Sequence, residues 1–237
     1  MAFLAAGTVK GTIGVGLPIT AVGLMSLFID PRLAITLMVF PIIFSNVWQL
    51  YRSGRIMQTV QKYRVFAGFL LVVLFITTFF TARVSADALL VFVGLVILLF
   101  SLINLWFTPP ALPDRLDRVG QIIGGITAGI TGGMTAMWAP SIAVYLIARK
   151  TEKEEFVSAT GFLFLIGSVP LCVGFWQNGM MSGPIALVSA GMIVPTLLGY
   201  FIGESARKKL NSERFRTAIL IFFLLMGLNL VRKGIFG

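Results

Sequence analysis

Gly14, Gly16 and Pro18 recur in type and order as Gly132, Gly133 and Pro140, each set lying inside a long hydrophobic run. None of these residues is a nucleophile, an acid or a base, so the chemistry they offer is that of exposed backbone. Proline is tolerated in the first turn of a helix, where its missing N–H would have had no partner. A helix can therefore restart after each proline. The free N–H groups and positive dipole end of a helix start favour an anion, and glycine lets backbone approach a ligand closely. In lipid, broken helices persist only where they are buried in protein or line a cavity. Two of them at matching places in a chain point to a transport site, here for a small anion.

Polar side chains near these breaks that could complete such a site are Thr12, Thr131, Thr135, Asn46 and Ser168. Their other role is plain interhelical hydrogen bonding, as the other role of the glycines is close helix contact. Trp138 lies near the second break, where it walls a pathway or simply packs, whereas Trp48, Trp106 and Trp176 fall at segment ends and read as an aromatic belt. Lys10 is the one charged residue well inside an apolar segment. It either snorkels to the surface or draws anions into an outer vestibule.

The nine acidic residues all fall in loops or at segment ends, which leaves no carboxylate relay for protons and no acid–base pair for a hydrolase. Cys172 is the only cysteine and histidine is absent, so an intrachain disulfide and a Cys/His metal cluster are both excluded. The expected cofactor is none, the expected metal none, and the chain does not read as an enzyme.

With 57% hydrophobic and 12% charged residues in 237, the chain is far more apolar than a soluble domain, in which about a quarter are charged. It reads as an all-α integral membrane protein. The start has no charged region, short apolar core and small-residue cleavage site, so the first hydrophobic segment is expected to be structural. The formal charge of +10 is spread between apolar segments and not gathered on a face or stripe, which argues against a nucleic-acid partner. The expected partners are a small anionic substrate, the lipid bilayer and, as an open alternative, further copies of the chain.

Eight apolar runs are long enough to consider as spans, at about 7–28, 33–51, 65–82, 88–107, 120–147, 156–176, 184–203 and 217–235. A proline-rich connection, 108–119, divides a first repeat, 1–107, from a second, 120–237. Gly7, Gly11 and Gly14 recur 118 positions later as Gly125, Gly129 and Gly132. After a four-residue insertion the offset becomes 122, and Pro18, Ala21, Val22, Leu24 and Phe40 meet Pro140, Ala143, Val144, Leu146 and Phe162. Asn46 then faces Ser168 in the alignment.

If all eight runs span, basic residues divide nine against ten between the two sides, which contradicts the positive-inside bias. If 7–28 and 120–147 are instead re-entrant hairpins, one side collects fourteen basic residues and the other only Lys10, Arg32, Arg83, Arg232 and Lys233. The rich side is then cytoplasmic and both termini are external. Each half has three transmembrane helices and one hairpin, and that odd number of crossings makes the halves inverted repeats. An arm of about ten helical residues rises roughly 15 Å, half the hydrocarbon thickness, so both tips are expected at the midplane.

Gly11-Thr12-Ile13-Gly14-Val15-Gly16-Leu17-Pro18 and Gly129-Ile130-Thr131-Gly132-Gly133, in halves of similar length, resemble the sulfite exporter TauE/SafE family. The resemblance covers most of the chain. It implies a bacterial inner-membrane transporter of sulfite, organosulfonates or related sulfur-containing or carboxylate anions. Combined with the residues above, it gives a site with backbone groups of Gly14, Gly16, Thr131, Gly132 and Gly133, oriented by Asn46, Thr135 and Trp138.

Direction follows from energetics. An interior-negative potential is worth about 2.3 kcal/mol per charge per 100 mV, roughly fifty-fold in concentration ratio. Export of an anion thus needs no coupling, while uptake or exchange would need Na⁺ or H⁺. A membrane scaffold or assembly subunit is the alternative outside transport.

Overall fold

The computed structural model describes residues 1–13, 15–106, 109–207 and 212–236, and most of these are helical, with no strand among them. In chain order the helices are α1 (Ala2–Ile13), α2 (Leu17–Met25), α3 (Pro31–Leu37), α4 (Val39–Ser53), α5 (Ile56–Thr81) and α6 (Ala86–Trp106). After a 3-10 turn come α7 (Asp117–Thr135), α8 (Ala139–Ala148), α9 (Lys153–Gln177), α10 (Gly183–Gly191), α11 (Ile193–Arg207) and α12 (Ser212–Phe236). The expected repeat boundary at 107/108 lies outside the described residues.

Five stretches of the described residues are long and apolar enough to cross a membrane: Pro31–Tyr51, Ile56–Thr81, Ala86–Trp106, Glu154–Gln177 and Gly183–Ala206. The eighth segment expected from sequence, 217–235, falls within α12, which lies along α6. The outer faces are as apolar as the core. Phe69, Val72, Ile76 and Phe80 form an exposed stripe on α5, and Leu95, Leu99, Leu102 and Trp106 another on α6. Stripes of that size suit hydrocarbon as the surrounding solvent.

Both glycine–proline segments fold back on themselves. Met1, Ala2 and Ala5 at the start of α1 share a hollow with Leu24, Met25, Phe28 and Ile29 at the end of α2. At the base of the other hairpin the Tyr145 hydroxyl donates to Asp117 Oδ1 at 2.7 Å. Arg149 joins them, pairing with Asp114 at 2.7 Å and Asp117 at 3.0 Å. The hydrogen bond to Asp114 raises the guanidinium's pKa above its usual value. The two bases sit at opposite ends of α5: Gln121 Nε2 donates to the Lys62 carbonyl near its start, while Arg32, just after the first hairpin, donates to the Val84 carbonyl beyond its end.

Helix contacts come in matched sets. α1 lies on α11 as α7 lies on α5, α2 touches α12 as α8 touches α6, and α4–α9 and α6–α12 pair directly. The glycines set the closeness of the first set. A Cβ added at Gly7, Gly11, Gly199 or Gly203 would fall 2.1 Å from a backbone carbonyl oxygen of the facing helix, that of Thr196, Tyr200, Leu4 or Thr8 respectively. Gly125, Gly129 and Gly133 do the same service on α5, with added Cβ atoms 2.6 to 2.7 Å from Phe66, Val73 and Thr77. The repeated glycines therefore act first as helix contacts, in the manner of small-residue stripes in membranes.

Arm lengths depart from the expected ten or so residues in one place. α1, α2 and α8 have 12, 9 and 10 residues, but α7 has 19. Part of the excess is the four-residue insertion, about one helical turn. α1 ends at Ile13, whose equivalent at the first offset is Thr131, whereas α7 continues one turn further to Thr135. Beyond the break the second offset holds, since α2 starts at Leu17 and α8 at Ala139.

Two of the spans are interrupted, and each has a proline just past the interruption. α3 passes to α4 at Met38, with Pro41 following, and α10 passes to α11 at Met192, with Pro195 following. Proline lacks the N–H that would reach back four residues, so Pro41 leaves the Leu37 carbonyl without its helical donor. Ser189 fills the gap: its hydroxyl donates to Leu37 O at 2.9 Å and accepts from Phe40 N–H at 3.3 Å.

Candidate functional site between the helix breaks

Each break starts a helix with proline in its first turn, Pro18 in α2 and Pro140 in α8. The first break turns on Gly16, at φ 99°, a left-handed conformation that glycine adopts without strain. The second turns on Ala136, at φ 56°, which costs a non-glycine residue about 1 to 2 kcal/mol. Thr135 steadies this turn, its hydroxyl donating to Thr131 O at 2.7 Å and accepting from Met137 N–H at 3.1 Å.

α2 and α8 lie inside the bundle. α2 touches α3, α6 and α12, and α8 touches α6 and α9, so both restarted helices pack on α6. Gly16 faces Phe223 of α12, whose ring is 6.3 Å from that of Phe100 on α6. On the other wall the Trp138 ring stands edge-on to Phe164 at 6.0 Å, and its Cε2 lies 3.5 Å from a Cβ added at Gly167.

Lys10 corrects a sequence expectation. It neither snorkels nor opens onto an outer vestibule: with 2% exposure it is buried. Its Nζ donates to Ser45 Oγ at 3.0 Å and Asn46 Oδ1 at 2.6 Å. The physical reason is that α1 is pressed onto α11 through its glycines, which turns position 10 toward α4 and away from the surface. Both acceptors are neutral, and both also donate to the Ile42 carbonyl. Among the described residues no carboxylate lies within ion-pair distance of Lys10.

Trp138 carries the other unmatched donor. It is 2% exposed, and its Nε1–H has no hydrogen-bond partner among the described residues. Lys10 and Trp138 reach the same stretch of the α4–α9 pair. Those helices are antiparallel, with Ser53 bonded to Ser158 at 3.2 Å and Gln49 to Thr160 at 3.0 Å. One turn further, the register sets Asn46, which holds Lys10, opposite Phe164, which holds Trp138.

The other expected site residues divide. Gly14 lies outside the described residues. Gly132 and Gly133 are inside α7, before the break, because the helix runs on to Thr135. Gly132 makes room for the Trp138 ring, 2.7 Å from an added Cβ, and Gly133 is pressed on α5, its carbonyl accepting from Thr81 at 2.7 Å. Thr12 is committed to Thr8 O and Gly203 O, at 2.7 and 3.3 Å. Thr131 bonds Thr127 and Ala128 of its own helix and faces an apolar groove of about 490 Å³ between α6, α7 and α8. Ser168 donates to Leu165 O at 2.6 Å within α9. Lys10 with Asn46, and Gly132 with Thr135 and Trp138, are thus the groupings the fold brings together.

Sequence reasoning missed Ser45, Phe164 and Ser189. Ser45 adjoins Asn46 but has no counterpart in the repeat alignment to mark it. For Ser189 there was a signal, since Pro41 inside an apolar span implies an orphan carbonyl in need of a donor.

A family model described as Sulfite exporter TauE/SafE matches residues 1–230. No curated protein and no solved structure matches the chain.

Proposed function

The chain belongs to the sulfite exporter TauE/SafE family, a family of membrane transporters, and from that premise we propose that it exports sulfite, an organosulfonate or a related sulfur anion. The observation that carries this reading is the pair of helix–break–helix hairpins whose bases sit at opposite ends of α5 and whose restarted helices both pack on α6. Helix starts directed into a shared interior offer N–H groups and positive dipole ends to an anion.

The same arrangement supports inverted repeats divided at 108–119, with 7–28 and 120–147 re-entrant in a bacterial inner membrane and both termini external. In that scheme the anion passes between the breaks, bounded by Gly16, Thr135 and Trp138, while rocking of one repeat against the other opens the site to each side in turn. Export down the membrane potential needs no proton site, in keeping with acidic residues confined to loops and segment ends.

The test is efflux from proteoliposomes loaded with sulfite or methanesulfonate, at an imposed potential of either sign. Efflux should quicken when the interior is negative and slow when it is positive. Failure of every such anion to move faster than from protein-free vesicles would overturn transport and leave the scaffold reading. A requirement for external Na⁺ or H⁺ would convert the assignment to exchange.

A further inference from the structure

We infer that Lys10 and Trp138 are the two donors that hold the transported anion, the ammonium balancing one negative charge and the indole N–H binding one of its oxygens; this rests on the transport reading above. An ammonium has three N–H donors, and the structure accounts for two, on Ser45 and Asn46. Neither acceptor carries charge. A buried cation without a counter-charge is among the costliest arrangements a protein can hold, and more so at membrane depth. A buried indole N–H with no acceptor is a second unmet donor. Both lie against the same stretch of α4–α9, and Trp138 is also the residue from which α8 starts, so the dipole end of that helix adds to the same positive potential.

The repeat sharpens the assignment. By the two offsets, Lys10 corresponds to Ala128 and Trp138 to Gly16, so each half supplies one donor where the other half has only a small residue. An ammonium from the first half and an indole from the second make a two-point site with one fixed charge. A singly charged oxyanion forms a neutral assembly there. A doubly charged one leaves a net negative charge in a dry interior, which disfavours it. The site is accordingly selective for monoanions with an apolar substituent, for which Phe164 supplies a wall.

The competing acceptor within the protein is the Ile166 carbonyl of α9, which Pro170 leaves without its helical donor. Trp138→Phe separates the two, since it keeps the ring and removes only the N–H. If the anion is the partner, the variant should be as stable as wild type or more so without anion, yet bind anions more weakly.

The experiment measures thermal stabilisation of the purified full chain by sodium methanesulfonate and by sodium sulfate at equal ionic strength. Methanesulfonate should stabilise the wild type and sulfate should do so far less. Trp138→Phe should weaken methanesulfonate binding about tenfold or more without lowering the anion-free midpoint. Lys10→Met should abolish the stabilisation and Lys10→Arg should keep most of it. Wild-type binding by both Trp138→Phe and Lys10→Met would overturn the pair while leaving transport standing. If sulfate stabilises the wild type as well as methanesulfonate does, the single-charge site is overturned. If no anion stabilises it and none crosses vesicles, this inference and the transport reading fall together.

Discussion

Gly11 of α1 lies so close to Tyr200 of α11 that a Cβ added to it would sit 2.1 Å from the Tyr200 carbonyl oxygen. No side-chain adjustment relieves that contact, because the obstacle is backbone. Gly11→Ala must therefore push α1 away from α11, at a cost of about 3 kcal/mol or more, the upper range for overpacking. Gly68 in α5 is the control, since nothing lies within 4 Å of its added Cβ. Gly68→Ala should stabilise by about 0.5 to 1 kcal/mol through helix propensity alone. Thermal midpoints of the two variants in detergent should move in opposite directions.

Ser189→Ala should destabilise by about 2 kcal/mol, because it strips partners from two buried backbone groups at once, the Leu37 carbonyl and the Phe40 N–H. Ser189→Thr keeps the hydroxyl and should lose less. Hydrogen exchange at residues 37–40 would report the same difference locally, rising in the alanine variant. Equal exchange in both variants would mean that the hydroxyl does not bridge the interruption.

Much of this architecture was legible in the sequence because lipid leaves so few choices. Apolar runs suffice to place the segments, and the helices follow the expected runs closely. The glycines misled in one respect. Their spacing of four, at Gly7 and Gly11 and again at Gly125, Gly129 and Gly133, is the spacing of a helix face, and it marks what α11 and α5 press against. Proline marked the restarts more faithfully than glycine marked the breaks, since the second break turns on Ala136, outside the glycine cluster. Lys10 could not be placed from sequence at all. Whether a cation near a segment end snorkels depends on which face the neighbouring helix occupies, and that is fixed by contacts with residues nearly two hundred positions away.

Gly132→Ala tests the local geometry of the second break. An added Cβ would meet the Trp138 ring at 2.7 Å, so the indole must swing off Phe164 or α8 must shift. Either movement displaces the residue that starts α8, and anion efflux should fall at least tenfold, since misplacement by about 1 Å is worth that much in an organised site. The thermal midpoint should drop by less than in Gly11→Ala, because the neighbour here is a side chain that can turn. Unchanged efflux would remove Trp138 from the pathway.

Topology is decided by three cysteines introduced singly into a Cys172→Ala background, where that native thiol packs half-buried against the core. Arg83, Arg115 and Glu154 are all exposed at helix ends or connections, so labelling at them should not disturb packing. If α7 and α8 form a re-entrant hairpin, positions 115 and 154 flank it on the same side of the membrane, in agreement with the Arg149 to Asp114 pairing across its base. A membrane-impermeant maleimide applied to right-side-out vesicles should then label position 83 and spare both 115 and 154, and inside-out vesicles should reverse the pattern for all three. Were α7 and α8 to cross as one span, 115 and 154 would label from opposite sides. That single pair of positions therefore separates a re-entrant hairpin at 120–147 from a full crossing there, independently of any transported anion.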